Sequence, residues 1–223
     1  MKLRQKILEY SNRYPLIGPI VWTLSAQYFI IQFVVARAWP RPYDWGLNLI
    51  SDLGNTACGQ YAGRYVCSPH HSLMNASFIV LGTTMAVGAL VIYQEFEKTR
   101  GSIIGFSFMG LSGIGTVFVG VFPENTIAIM HGLGAFLALV IGNVSLLVIA
   151  ASLRSVRPSF RLYTALSGTV SLVAFALFQF DMTIGLGRGG MERVAGYPQT
   201  VWLIAFGLYM SVVRLRASRS HRR

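Results

Sequence analysis

Leu73-Met-Asn-Ala-Ser-Phe-Ile-Val-Leu-Gly-Thr-Thr-Met-Ala-Val-Gly-Ala-Leu-Val-Ile-Tyr93 carries no charged side chain over the length of one bilayer crossing. A helix needs roughly 20 predominantly apolar residues to cross the hydrocarbon core. Five more stretches read the same way: Leu16–Ala36, Ile103–Val121, Ile127–Leu147, Leu162–Phe180 and Thr200–Val213, the last and shortest with room to extend back from Gln199. The 223 residues are 53% hydrophobic and only 12% charged, about half the charged fraction of a soluble domain. The reading is an all-α polytopic membrane protein: one six-transmembrane-helix bundle over residues 1–223, without a separate soluble domain.

The net charge of +11 is compatible with nucleic acid, but its distribution argues against that partner. Fourteen of the nineteen basic residues lie in the termini or in the second and fourth loops: Lys2, Arg4, Lys6, Arg13, Lys98, Arg100, Arg154, Arg157, Arg161, Arg214, Arg216, Arg219, Arg222 and Arg223. That is the positive-inside pattern. It predicts a multi-pass protein of the cell (plasma) membrane with both termini cytoplasmic and the first, third and fifth loops outward. The basic tail is then a topology signal attracted to anionic lipid. The basic start, apolar stretch and Ala36-Arg37-Ala38 imitate a signal peptide, but the apolar stretch exceeds the 7–15 residues of an h-region. It reads as an uncleaved first span.

The outward segment 37–72 is the longest connection, and a loop of this length is usually functional. It holds both cysteines, Cys58 and Cys67, nine residues apart. A disulfide in an oxidising compartment is the natural reading; a metal-binding pair is the rival. Gly185-Leu-Gly-Arg-Gly-Gly190 imitates a dinucleotide loop, but that fingerprint requires a preceding strand and a βαβ unit, which this chain does not offer. Gly101, Gly105, Gly110, Gly113, Gly115 and Gly120 in the third span read as close helix packing. Asn75-Ala-Ser77 matches a glycosylation acceptor, poorly placed at a helix mouth.

On this topology the outward face collects Ser51, Asp52, His70, His71, Glu124, His131, Asp181, Arg188, Glu192 and Arg193, whereas the inward loops hold only Glu9, Glu95, Glu97 and His221 among acids and histidines. Ionisable groups at membrane depth are costly and mark functional sites by default. The apolar neighbours Leu49, Ile50 and Leu53 favour a buried Asp52; on a surface loop Asp52 is an ordinary cap. His70-His71 opens the second span, with Asn75 four residues past His71 on the same face; a plain polar helix start is the alternative. Pro123 suits a first helical turn and Glu124 complements the helix dipole there. His131 lies two turns deeper, roughly 10 Å along the same face, and needs a partner inside the bundle, such as Asp52 or one of His70 and His71. Glu192 and Arg193 either pair with each other, or Arg188 and Arg193 hold a phosphate or carboxylate through their planar forks.

Asn48-Leu-Ile-Ser-Asp-Leu-Gly54, Phe122-Pro-Glu124, His131 and Glu192-Arg193 resemble the prokaryotic integral-membrane family of unknown function 998, over nearly the whole chain. The resemblance implies an architecture and a site region, with no assigned activity. A more distant likeness is to the Frag1/DRAM/Sfk1 membrane group, which has a similar Ile-Ser segment in its first outward loop. Some members of that group are linked to lipid-anchor remodelling or phosphoinositide control. The alkaline-ceramidase group offers a looser comparison, combining Ser, Asp and His around zinc. Its paired-histidine helix is not visible here.

The resulting expectation is an outward site at the bundle mouth, in a hydrolase or transferase acting on lipid head groups by acid–base or metal-assisted chemistry. Ser51, Asp52, Glu124 and His131 are the catalytic candidates; Asn48, His70, Asn75, Arg188, Glu192 and Arg193 are the substrate-binding candidates. Zinc, held by His70, His71, His131 and Asp52, is the metal version, although no HxxxH or HExxH spacing supports it. Membrane lipid is the expected partner. The competing expectation is a non-catalytic lipid-binding scaffold or accessory subunit; a transporter ranks third, because no acid is buried mid-span and no pair of broken helices is evident.

Overall fold

The structure, a computed structural model, describes residues 14–220. It is mostly helical: α1 (Ile17–Arg37), α2 (His71–Glu95), α3 (Arg100–Val121), α4 (Ala128–Ser152), α5 (Pro158–Gln179) and α6 (Gly187–Ser220). The first five are long and apolar enough to cross a membrane. Local sequence sets their ends. The Thr99 hydroxyl accepts the Ser102 N–H at 3.1 Å to cap α3, and Pro158 occupies the first turn of α5, where its missing N–H costs nothing.

Without a hydrophobic drive between helices in lipid, small residues let backbones approach. A Cβ at Gly82 of α2 would sit 2.3 Å from the Gly113 carbonyl of α3, and one at Gly113 would sit 2.5 Å from the Gly82 carbonyl. Gly101, Gly105, Gly115 and Gly120 also face close neighbours, as expected of packing glycines; Gly110 faces open space. Toward the end of the bundle where α1, α3 and α5 begin, an aromatic core of Trp22, Phe106, Phe160, Trp202 and Phe206 ties α1, α3, α5 and α6 together.

The opposite end of the bundle departs from the all-α expectation. Residues 58–67 form an antiparallel hairpin, β1 (Cys58–Tyr61) with β2 (Arg64–Cys67), in register Cys58↔Cys67. The disulfide expected between Cys58 and Cys67 closes its base. Ala62 and Gly63 turn it with φ of +46° and +80°, the left-handed pair that two-residue hairpins require. Four-residue strands held by a covalent bond leave almost no hydropathy signature, so the sequence reading passed over them.

Two boundaries also move. The glycine-rich segment 181–199 is mostly helix: the reversal is confined to residues 181–186, and α6 begins at Gly187. Positive φ at Asp181, Ile184, Gly185 and Gly187 makes so tight a reversal feasible. Pro123 does not start a helix: residues 124–126 form a turn in which the Thr126 N–H reaches the Pro123 carbonyl at 2.9 Å, and α4 begins at Ala128.

Candidate functional site at the hairpin end

A 3₁₀ turn, Ser51–Gly54, is driven into this end of the bundle, with Asp52 and Leu53 wholly buried. Side chains from other elements satisfy carbonyls of the turn and of the segment leading into it. The Ser68 hydroxyl donates to the Leu53 carbonyl at 2.7 Å, the Asn75 amide to the Gly54 carbonyl at 2.9 Å, and the Tyr43 hydroxyl to the Leu49 carbonyl at 2.7 Å. A Cβ at Gly54 would fall 2.2 Å from Asn75 Oδ1, so a larger residue there displaces the amide that braces the turn. A 3₁₀ turn rotates successive side chains by about 120°, so Ser51 and Asp52 point to different sides and build two separate polar clusters.

The Asp52 cluster is an ion layer. Arg64 of β2 donates to Asp52 through Nη2 at 2.5 Å and Nε at 2.7 Å, and the Leu49 N–H adds a bond at 2.8 Å. Arg64 Nη2 also lies 3.7 Å from Glu124 Oε2, and Asn55 donates to Glu124 Oε1 at 2.8 Å. The Tyr61 hydroxyl donates to the Glu124 main-chain carbonyl at 2.8 Å. Burial first, and the nearby Asp52 charge second, push the Glu124 carboxyl up to about 8. One arginine thus serves two acids, and the second acid favours its neutral form. Arg64 is the member that sequence reasoning missed: in a short polar hairpin it reads as a surface charge, and only its place inside the disulfide loop hinted otherwise.

Ser51 belongs to the second cluster. Its Oγ is 3.1 Å from His131 Nε2 and 3.2 Å from Glu192 Oε1, while Glu192 Oε2 accepts the Ile50 N–H. His131 Nδ1 is 2.8 Å from the Phe122 carbonyl, an acceptor only, so the Nδ1 proton is placed by its partner. The serine has one hydrogen and two acceptors. Either it donates to His131 Nε2 while a protonated Glu192 donates to it, or it donates to an ionised Glu192 while a cationic His131 donates to it. Both arrangements contain the same protons and differ by a shift along Glu192–Ser51–His131. Below Ser51 and Glu192 lies a narrow cavity walled by Tyr28, Phe78, Leu81, Met85, Val119 and Leu139.

The other predicted site residues fall elsewhere. Arg193 does not hold a free anion-binding fork: its Nη1 donates to the carbonyls of Trp45, Asn48 and Gly189 at 3.0, 2.9 and 2.8 Å, and its Nη2 to the Tyr43 hydroxyl. Nor does it pair with Glu192, since adjacent helical residues diverge by about 100°. Arg188 is exposed and pairs with Asp181 at 2.6 Å. Asn48 is buried and donates to Asp52 Oδ2 at 3.3 Å and the Tyr65 carbonyl at 3.2 Å, so it braces the loop, as Asn75 braces the turn. His70 is exposed, and His71 Nδ1 meets the Ser68 carbonyl at 3.0 Å, the plain helix start. The partner of His131 is Ser51, not Asp52 or either of these histidines. Among the described residues no three His, Cys, Asp or Glu side chains are grouped to hold a metal ion. The zinc set His70, His71, His131 and Asp52 is not assembled, because Arg64 claims Asp52 and the paired histidines stay at the helix mouth.

The fold and this site define a polytopic helical membrane protein with a buried polar turn braced by a disulfide hairpin. The chain belongs to the family described as "Protein of unknown function (DUF998)", whose model matches residues 23–209. No curated protein and no solved structure gives a significant match.

Proposed function

We propose that this protein is an integral-membrane hydrolase or transferase acting on lipid at the membrane face, with Ser51 as nucleophile and His131 as its base. The carrying observation is the Ser51 Oγ–His131 Nε2 distance of 3.1 Å, with His131 Nδ1 anchored on the Phe122 carbonyl at 2.8 Å. A hydroxyl is a weak nucleophile until an adjacent base accepts its proton, and the base works best when a third group fixes its tautomer. Here a main-chain carbonyl does what a carboxylate does in the better-known triads. Glu192 is a positioning residue, holding Ser51 and the Ile50 N–H; Asp52, Arg64 and Glu124 hold the turn from its other side.

In this reading α6 is the sixth span. Both termini and the basic loops lie in the cytoplasm, and the hairpin end faces outward from the plasma membrane, where a disulfide persists. The lipid enters from the bilayer, and water or an acceptor alcohol comes from the outer face. Purified protein incubated with ester-linked and phosphodiester-linked lipids should turn one class over. Ser51→Ala and His131→Ala should each abolish turnover, while eluting and melting like the parent protein.

A non-catalytic scaffold is the second reading. It is favoured by the self-contained contacts of Arg64 with Asp52 and of the Arg193 Nη1 and Nη2 groups with the backbone and Tyr43. On that reading no lipid is turned over, and His131→Ala loosens the fold instead.

A further inference from the structure

The polar network leaves one feature unused, the cavity beneath Ser51. Ser51 and Glu192 line its end nearer the hairpin, and Met85 and Thr200 line its deeper end. Glu192 and Thr200 are eight residues apart on α6, about 12 Å along the axis. The walls between are mostly apolar, with Tyr28, Thr116 and Gln199 as the polar members, and the long axis follows the direction in which lipid chains lie.

On the side facing α4 the wall is formed by Ala135, Ala138 and Leu139. The outer half of α4 packs on α3, and the last turns of α5 pack on α6 through Ala174, Met191 and Ala195. The seam between those two pairs runs past Leu139 and Gly196. A Cβ at Gly196 would meet only Leu139 Cδ2, at 3.4 Å. Leu139 belongs to a π turn, residues 137–141, a distortion frequently found at functional sites. Ile129, Leu133 and Phe136 are exposed along the same helix, an apolar surface suited to lipid.

We infer that this cavity is an acyl-chain site, which makes the substrate class an ester of a long-chain carboxylic acid. The chain enters laterally between Leu139 and Gly196, and its carbonyl carbon comes to rest against Ser51 Oγ. This rests on the nucleophile assignment above and adds which bond is cut. Ser51 Oγ bonds to the carbonyl carbon as its proton passes to His131 Nε2. The tetrahedral adduct then collapses, the C–O bond to the alcohol breaks, and that alcohol leaves with the proton from His131. Water or a second alcohol reverses the sequence and releases the acyl group from Ser51. Because the chain moves from one apolar medium to another, selectivity comes from the length and width of the cavity, not from desolvation.

Two probes test the chain site separately from the nucleophile, using the whole protein in phosphatidylcholine nanodiscs. Alkyl fluorophosphonates bearing ethyl or dodecyl chains report on Ser51 by the mass of the adduct. The dodecyl probe should react at least about tenfold faster, and Gly196→Leu, which fills the cavity, should erase most of that preference. A fatty acid with a diazirine at the chain end should cross-link to Met85, Leu139 or Thr200. Those cross-links should persist in Ser51→Ala and vanish in Gly196→Leu, with Ala138→Leu as a second filling variant. Equal labelling by both fluorophosphonates, or cross-links confined to the outer surface, would overturn the acyl-chain site. Cross-links in the cavity with no serine adduct would uphold the chain site and overturn Ser51 as nucleophile.

Discussion

Replacing Arg64 with methionine removes the one cation that faces Asp52 and Glu124 together, and keeps most of the side-chain volume. Asp52 is fully buried. It would lose charge-assisted bonds of 2.5 and 2.7 Å and retain only the Leu49 N–H at 2.8 Å and the Asn48 amide at 3.3 Å. Removing one partner of a buried pair costs about 3–5 kcal/mol, because an uncompensated charge stays behind. The two neutral donors left to Asp52 place this case near the lower end, about 3 kcal/mol. For a chain of this size that lowers the melting temperature by roughly 6–12 °C. Adding Asp52→Asn removes the stranded charge, so the double variant should be more stable than the sum of the single losses implies, with a coupling of about 2 kcal/mol. Intrinsic fluorescence during heating in detergent micelles reads all four proteins. An Arg64→Met protein melting within about 2 °C of the parent, or strictly additive losses, would mean that the ion layer does not brace the turn.

Glu124 supplies a pH signature. Its folded value of about 8 lies above the ordinary 4.5, so the folded state holds this proton more tightly. Stability from this group is full below about pH 4.5 and is lost as pH rises through 8. Glu124→Gln should flatten the fall in melting temperature across that window; an unchanged slope would assign it to other groups. Arg193→Lys should destabilise by about 1–3 kcal/mol, because one ammonium can take the place of Nη1 among the three carbonyls but leaves the Tyr43 hydroxyl without the donor that Nη2 supplies. It should leave the amount of phospholipid retained through detergent purification unchanged, whereas an anion-holding arginine would lose that lipid and keep the melting temperature. Replacing Cys58 and Cys67 together by alanine should cost about 2–3 kcal/mol through the reopened loop. Any turnover should fall with it, since β2 then no longer presents Arg64.

Membrane character, five helices long and apolar enough to cross a membrane, and the disulfide follow from sequence, because each is written in local composition. An uncharged run long enough to cross a bilayer has one economical solution, a helix that satisfies its own backbone, and two cysteines in one short loop have few partners to choose from. Burial of Asp52 was also legible, since Leu49, Ile50 and Leu53 surround it in the chain. Pairing across the site was not. Ser51 meets His131 and Glu192 from segments 80 and 141 residues away, and nothing in the composition of any one segment specifies the others. Arg193 and Arg64 show the same limit in opposite directions. The arginine that looked ready for an anion is enclosed by the carbonyls of its own fold, and Arg64, to which no role was given from sequence, holds the central carboxylate. Charge type and membrane depth are local properties; which charge meets which is decided by how six helices and a stapled hairpin close around one turn.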